Sequence, residues 1–216
     1  MQAAIRLAVL KARAAHVLDE LGLYLNEMLH QIEQARERDR QWMLNTFGGD
    51  EGPDDCAEEL ADIEHQYDTV FATLLTHSFV VVVYGHFEDS STSLLNLHRD
   101  LTDQPLGLSD FRGNLVERIQ RYLAGIRAEK LPDDLVSRLR TLALVRNCIA
   151  HQAGRVARSA NEAQLKNAIN SDPDLSVHPS GRIHVLNHYG RSSLAVVSDA
   201  LAALYLRTRV PLLTRR

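Results

Sequence analysis

The amino-acid sequence predicts an all-α fold, an antiparallel bundle of four to five helices with a small C-terminal β-hairpin. Three observations lead to this prediction. Apolar residues recur every three to four positions over most of the chain, as in helices that bury one face. Glycine and proline cluster in a few short segments where helices would end. One segment near the C-terminus alternates in the manner of paired strands.

The first helix is predicted from Ala3 to about Asn45. Its apolar positions keep helical spacing as far as Ile32, and charged residues then replace them, which indicates a solvated end. The next segment combines three glycines with a proline and therefore forms a loop. Its four acids lack the spacing of a calcium-binding loop (Asp50, Glu51, Asp54 and Asp55).

A second long helix is predicted from about Cys56 to Leu101. The run from Phe79 to Tyr84 is rich in β-branched residues and would suit a strand. We nevertheless favour a helix, because no turn residues precede the run and the apolar spacing on both sides of it is helical. Packing in a core overrides a weak intrinsic propensity. Residues 102–108, which include a proline and a glycine, form the next loop.

Two shorter helices complete the predicted bundle. Ser109 is predicted as the N-cap of a third helix that extends to about Glu129. Pro132 suits the first turn of a fourth helix, which Gly154 would end as a C-terminal cap.

The C-terminal part is predicted to contain two helices with a β-hairpin between them. A short helix is predicted over residues 161–170, a hairpin over residues 175–186 around a Pro-Ser-Gly turn, and a last helix over residues 192–208. The sequence contains no internal repeat.

Composition places the protein among ordinary soluble proteins, with 45% hydrophobic and 24% charged residues. Two cysteines without a framework spacing indicate a reducing interior. We expect no signal peptide and no membrane span, so the predicted location is cytoplasmic. The net charge of −4 hides a split, since residues 1–104 hold seven Lys/Arg against nineteen Asp/Glu, and residues 105–216 hold seventeen against nine. A basic half attracts phosphate backbones, although two differently solvated faces would give the same split.

The segment with the clearest chemical character lies near the end of the fourth helix. Asn147 and His151 are four residues apart and therefore share one face, toward which the long side chain of Arg146 can lean. A titratable imidazole, a guanidinium and an amide suit binding a phosphate and moving a proton. The alternative is structural, with His151 capping the last carbonyls of the helix and Arg146 in a salt bridge.

The sequence Arg146-Asn-Cys-Ile-Ala-His151 resembles the Arg-polar-x-x-x-His signature of HEPN domains, and residues 78–88 resemble the preceding helix of that family. The match covers roughly residues 60–156. The resemblance implies a single HEPN-like domain over residues 1–216, with a core of about residues 56–156 and a hairpin and helix appended at residues 157–216. It also implies that two copies of the motif meet in a homodimer and form one metal-independent ribonuclease site.

The function that this resemblance implies is an endoribonuclease, with Arg146, Asn147 and His151 as catalytic residues and a possible role as a toxin or anti-phage effector. RNA, a second copy of the chain and a cognate antitoxin are the expected partners, without a cofactor. The alternative is a HEPN module that has lost catalysis and binds nucleotide, RNA or a protein. A third possibility is a purely structural helical interaction protein.

Several other residues are candidates for supporting roles. His77, Tyr84 and Glu88 fall on one face of the second helix, and Glu88 could orient Arg146 or His151. The alternative is a buried polar cluster that holds the helices in register. Arg155 and Arg158 could line a phosphate groove or be ordinary surface residues. No metal site is predicted, because three histidines near the C-terminus lack a partnering cysteine pair (His178, His184 and His188).

Overall fold

The computed structural model of the chain describes residues 2–47 and 56–208. The predicted all-α fold with a C-terminal hairpin is confirmed. The helices are α1 (Gln2–Phe47), α2 (Ala57–Glu64), α3 (Ala72–Thr102), α4 (Leu115–Gly125), α5 (Asp133–Gln152), α6 (Glu162–Ser171) and α7 (Asn187–Arg207), and the strands are β1 (Leu175–Val177) and β2 (Ile183–Val185). The predicted loop at residues 48–55, with its four acids, and the basic residues Arg209, Arg215 and Arg216 lie outside the described residues.

The second predicted helix is present and forms the centre of the bundle. A π-helical turn over His65–Phe71 joins α2 to α3, so the chain stays helical from Ala57 to Thr102. The β-branched run lies within α3, where Val80 and Val83 are completely buried. Helix α3 packs against α1, α5 and α7. Burial on several sides therefore decides the conformation of this segment, as predicted.

The third helix begins later and ends earlier than predicted, at Leu115 and Gly125. Ser109 lies in a 3-10 turn (Leu108–Asp110) and is not an N-cap. Gly113 adopts a positive φ of 110°, which prevents the helix from starting before it. The side chain of Asn114 accepts a 3.0 Å hydrogen bond from the backbone N–H of Glu117. Asn114 is therefore the N-cap of α4. It directly follows Gly113, whose positive φ is a conformation that glycine adopts more readily than other residues.

Helix α5 ends in a left-handed turn. Ala153 (φ 49) and Gly154 (φ 77) both adopt this conformation, and the N–H of Gly154 bonds to the carbonyl of Cys148. Pro132 precedes the helix by one position, where it serves as the N-cap residue rather than lying in the first turn. The last turn of α5, which contains His151, is therefore followed at once by a change of chain direction.

The C-terminal elements pack into the same hydrophobic core. The hairpin pairs Leu175 with Val185 and Val177 with Ile183. Helix α7 starts at Asn187, five residues before the predicted start, and lies along α3 with Leu204 fully buried. Side chains from residues 157–208 thus belong to the same core as the preceding helices.

The helix from Ala57 to Thr102 is long and apolar enough to cross a membrane by length and composition, with 39% of its most apolar stretch buried in the fold. A core helix of a soluble protein has the same properties. The buried side of this helix forms the centre of the bundle core.

Candidate functional site

Arg146 is the centre of a polar cluster between α3 and α5. Its Nη2 donates a 3.0 Å hydrogen bond to Oε2 of Glu88, and its Nη1 donates a 2.9 Å hydrogen bond to Oδ1 of Asn147. The carbon at the centre of its guanidinium lies 5.4 Å from the centre of the Tyr84 ring. A carboxylate, an amide and an aromatic face therefore fix this cation from three sides.

Local sequence explains how the cluster forms. Tyr84 and Glu88 are four residues apart on α3, so their side chains are neighbours on one helix face. On α5, Val145 and Cys148 are buried and anchor the helix against the core, which leaves Arg146 between them at the edge of the interface. The sequence predicted that Tyr84 and Glu88 share a helix face. Of the two partners considered for Glu88, the structure shows a hydrogen bond with Arg146 and none with His151.

The cluster is partly removed from water. The side chain of Arg146 is 22% exposed and that of Glu88 is 39% exposed, whereas Tyr84 is buried. Burial, reinforced by the negative charge of Glu88, raises the pKa of Tyr84 to about 12, against the opposing charges of Arg146 and Arg118. Tyr84 is therefore a neutral phenol at physiological pH, and its ring serves as a packing surface for the guanidinium.

Arg118 is a further cation whose charge acts on the pKa of Tyr84. It lies on α4, half-buried, and its charge acts on Tyr84 in the same direction as that of Arg146. The Nε atoms of Arg118 and Arg146 are both buried without a hydrogen-bond partner among the described residues. No motif in the sequence marked Arg118.

His151 lies one helical turn beyond Asn147, on the same face of α5, and is exposed. Within residues 2–47 and 56–208 its side chain makes no hydrogen bond or ion pair, so it does not cap the last carbonyls of the helix. The imidazole is accessible from solvent.

His77 belongs to a different part of the molecule. It is half-buried on α3, and a Cβ placed on Gly154 would lie 3.5 Å from its Cε1. Burial lowers the pKa of His77, an effect opposed by a hydrogen bond with the backbone of Ile183. The described contacts connect His77 with the hairpin and the end of α5, and none joins it to Arg146.

Arg155 and Arg158 follow α5 and are exposed. The backbone of Arg155 forms a bridge with that of Arg182 in the hairpin turn, which brings a further cation to this end of the helix. Exposed positive charge therefore lies beside the last turn of α5, where His151 is located. Arg182 is a residue that the sequence did not single out.

Metal ligands do not assemble among the described residues, which contain no group of three His, Cys, Asp or Glu side chains suited to an ion. The C-terminal histidines have other contacts: His178 bonds to Ser180, and His184 approaches Ser176 across the hairpin.

A cleft of about 1100 Å³ opens between α5, α6 and the start of α7. Asn147 lies on its wall, so the polar cluster and the cleft share this residue. Many other polar groups of the wall are amides and hydroxyls, including Ser137, Thr141, Gln164 and Asn167. The wall also carries three acids and two arginines (Glu117, Asp172, Asp174, Arg138 and Arg140). Uncharged donors and acceptors of this kind suit the edges of heterocyclic bases.

Neither family models, nor curated proteins, nor solved structures give a match to this chain.

Proposed function

We propose that the protein is a metal-independent endoribonuclease of the HEPN type. The observation that supports this most is the cluster on α5, in which Arg146 is fixed by Glu88, Asn147 and Tyr84 while His151 stays accessible one turn away. A fixed cation beside a free imidazole is the combination that phosphodiester cleavage needs. The resemblance of Arg146–His151 to the HEPN signature is the second support.

In the proposed reaction the ribose 2′-oxygen attacks the adjacent phosphorus while an imidazole accepts the 2′-hydroxyl proton. The bond from phosphorus to the 5′-oxygen then breaks, and a second imidazole donates a proton to that oxygen. Arg146 stabilises the negative charge on the non-bridging oxygens of the intermediate. The products are a 2′,3′-cyclic phosphate and a 5′-hydroxyl, so the reaction consumes no water until the cyclic phosphate is hydrolysed.

A homodimer would supply the second imidazole. His151 and Asn147 face solvent in the single chain, and helix α3 exposes the apolar side chains of Leu74 and Val82. A Cβ on Gly85, which lies between Val82 and Glu88, would meet nothing within 4 Å. This open stripe lets two α3 helices approach closely, and a two-fold axis beside it would bring both copies of the motif together.

Proposed partners and physiology follow from the same assignment. RNA is the substrate, a second copy of the chain completes the site, and the location is cytoplasmic. A role as a toxin or anti-phage effector, with a cognate antitoxin, rests on the HEPN resemblance alone.

The test is cleavage of mixed tRNA and single-stranded RNA by purified protein in EDTA. We expect His151→Ala to reduce the rate by roughly two to four orders of magnitude, the usual contribution of a general acid or base. Arg146→Ala should also reduce the rate and weaken binding. His16→Ala, at an exposed histidine on α1, should change nothing. Loss of wild-type activity in EDTA with recovery in magnesium would contradict the proposal.

A non-catalytic HEPN module is the second candidate function. It is favoured by one observation, namely that no described contact orients the ring of His151 in the single chain. If the wild type binds RNA in the same assay but leaves it intact, this candidate replaces the enzyme.

A further inference from the structure

Two arginines lie side by side where the hairpin joins the end of α5. The backbone of Arg155 is extended (φ −75°, ψ 108°) and forms an antiparallel bridge with that of Arg182. Two backbone hydrogen bonds join the residues that flank this bridge (Val156 N–H to Gly181 O, 3.1 Å; Ile183 N–H to Gly154 O, 2.8 Å). The arginines are therefore a non-hydrogen-bonded pair, in which opposite residues lie closest, with Cα atoms about 4.5 Å apart.

The side chains of this pair point to solvent. Successive residues of an extended chain alternate between its two faces. Val156 and Ile183, the next residue after each arginine, are only 2% and 1% exposed, whereas Arg155 and Arg182 are exposed. Opposite side chains on one face start from Cβ atoms about 4.5–5.5 Å apart. Both guanidinium groups can therefore reach the same small ligand.

No acid compensates this pair of cations. Within residues 2–47 and 56–208, neither Arg155 nor Arg182 forms an ion pair or a side-chain hydrogen bond. Like charges directly opposite each other destabilise strand pairing, and solvent reduces this repulsion without removing it. A guanidinium keeps its proton at all ordinary pH values, so deprotonation cannot relieve the repulsion. One external anion would compensate both cations.

We propose that Arg155 and Arg182 together bind one phosphate of single-stranded RNA. Planar guanidinium groups match the geometry of phosphate oxygens, and each can donate two parallel hydrogen bonds. The backbone bridge fixes where the two side chains start, so the site needs no rearrangement of the main chain. Because a phosphate contact is blind to the base, this site contributes affinity for every RNA sequence.

The source of the phosphate rests on the proposed function. His151 precedes Arg155 by four residues, so their Cα atoms are at most about 14 Å apart. A phosphate held by the arginines is thus close along the strand to the one on which the imidazole acts. Residues 105–216 hold seventeen Lys/Arg against nine Asp/Glu, which favours a polyanion at this end of the molecule.

The experiment measures the affinity for a fluorescent single-stranded RNA with 2′-O-methyl groups throughout, which the 2′-hydroxyl route cannot cleave. Anisotropy is recorded in EDTA over a range of salt concentrations. We expect Arg155→Gln and Arg182→Gln each to weaken binding about tenfold, as for a lost hydrogen bond to a charged group. Arg191→Gln is the matched control, because that exposed arginine bonds to Asn26 of α1, and it should change the affinity less than about twofold.

The double variant tests whether one phosphate is shared. Two arginines on the same phosphate are coupled, so the double variant should lose less than the roughly hundredfold expected of independent contacts. The slope of log affinity against log salt should become shallower by about 0.7, the contribution of one phosphate on a single strand. A hundredfold loss with twice that change of slope would mean two separate phosphates and would overturn the shared site.

Thermal stability separates a binding role from a structural one. Arg182→Glu replaces repulsion across the bridge by attraction, so the melting temperature without RNA should rise by roughly 1–3 °C. The same variant should bind the oligonucleotide at least tenfold more weakly. A lower melting temperature together with weaker binding would mean that Arg182 only holds the hairpin in place, and the inference would be wrong.

Other ligands are outcomes of the same assay. Equal affinity in wild type and both single variants would overturn the inference. If inorganic phosphate raises the melting temperature of wild type but not of the double variant, while the oligonucleotide does not bind, the site takes small phosphates and the RNA assignment is wrong. If a poly-glutamate peptide binds and the oligonucleotide does not, the pair is a docking site for an acidic protein, which also contradicts the inference.

The ribonuclease proposal fails separately from this one. Intact RNA in the cleavage assay, together with oligonucleotide binding that depends on Arg155 and Arg182, would overturn the enzyme and support the phosphate site. Cleavage that depends on His151, together with an unchanged affinity in both arginine variants, would support the enzyme and overturn the phosphate site.

Discussion

The pairing of Glu88 with Arg146 predicts a measurable energetic coupling between α3 and α5. The two groups are 3.0 Å apart, and their side chains are 39% and 22% exposed. Two opposite charges about 4 Å apart near a protein surface attract by roughly 4 kcal/mol before other effects are counted. Because Glu88 is more than one third exposed, solvent screening and the entropy of holding the side chain reduce this value. We expect a net coupling of about 1 kcal/mol.

The assay is a double-mutant cycle in the free energy of unfolding. Glu88→Ala, Arg146→Ala and the double variant are unfolded by urea, and the departure from additivity gives the coupling. In a chain of this size, 1 kcal/mol corresponds to a change of roughly 2–4 °C in melting temperature. Arg146→Ala should be the more damaging single change, because it also removes the packing on Tyr84.

Asp89 provides the control, since it is exposed next to Glu88 and forms no ion pair with the described residues. A cycle of Asp89→Ala with Arg146→Ala should be additive within about 0.3–0.5 kcal/mol. Additivity in the Glu88 cycle as well would refute the view that Glu88 holds the guanidinium in place.

Three further predictions address assembly, pH and metal. Light scattering at micromolar concentration should show a dimer. Val82→Glu should shift the protein toward monomer, whereas Leu23→Glu, on the exposed side of α1, should not. A monomeric wild type would contradict the proposed site. Burial lowers the pKa of His98, so the folded state favours the neutral ring and the unfolded chain binds more protons. The free energy of unfolding should therefore decrease as pH falls below about 6.5. Urea unfolding between pH 7 and 5 should show this decrease, and His98→Gln should reduce it; an identical pH slope in the variant would exclude His98 as its source. Cleavage should be equal in EDTA and in magnesium, and dependence on magnesium would show that the site is not the proposed one.

The helices could be predicted because their signals are local. Apolar periodicity depends only on the sequence within an element, and it located α1, the continuous helical segment from Ala57 to Thr102, α5 and α7 to within five residues. It even overruled the strand propensity of Phe79–Tyr84 correctly. The start of α4 was predicted wrongly, because Ser109 and Asn114 are both good caps. The choice between them depends on the positive φ of Gly113, which the spacing of apolar residues does not predict.

The grouping of the candidate site residues could be predicted only where they share a helix. Tyr84 and Glu88 follow from spacing on α3, and Arg146, Asn147 and His151 follow from spacing on α5. The position of Arg118 depends on how α4 is rotated against α3, which is a tertiary property with no signal in a single helix. A shared helix face was not enough to predict the position of His77. It lies on the same face of α3 as Tyr84 but two turns earlier, where it contacts the hairpin instead of the cluster.

The measurement that tests the central claim most directly is cleavage by mixed subunits. Wild type and His151→Ala are purified separately, mixed in several proportions under conditions that allow subunits to exchange, and assayed on single-stranded RNA in EDTA. A mixed dimer holds one His151 imidazole, although the proposed reaction uses two. The account therefore predicts that activity falls as the square of the wild-type fraction. Activity that falls in direct proportion to that fraction, with exchange verified, would contradict a composite site.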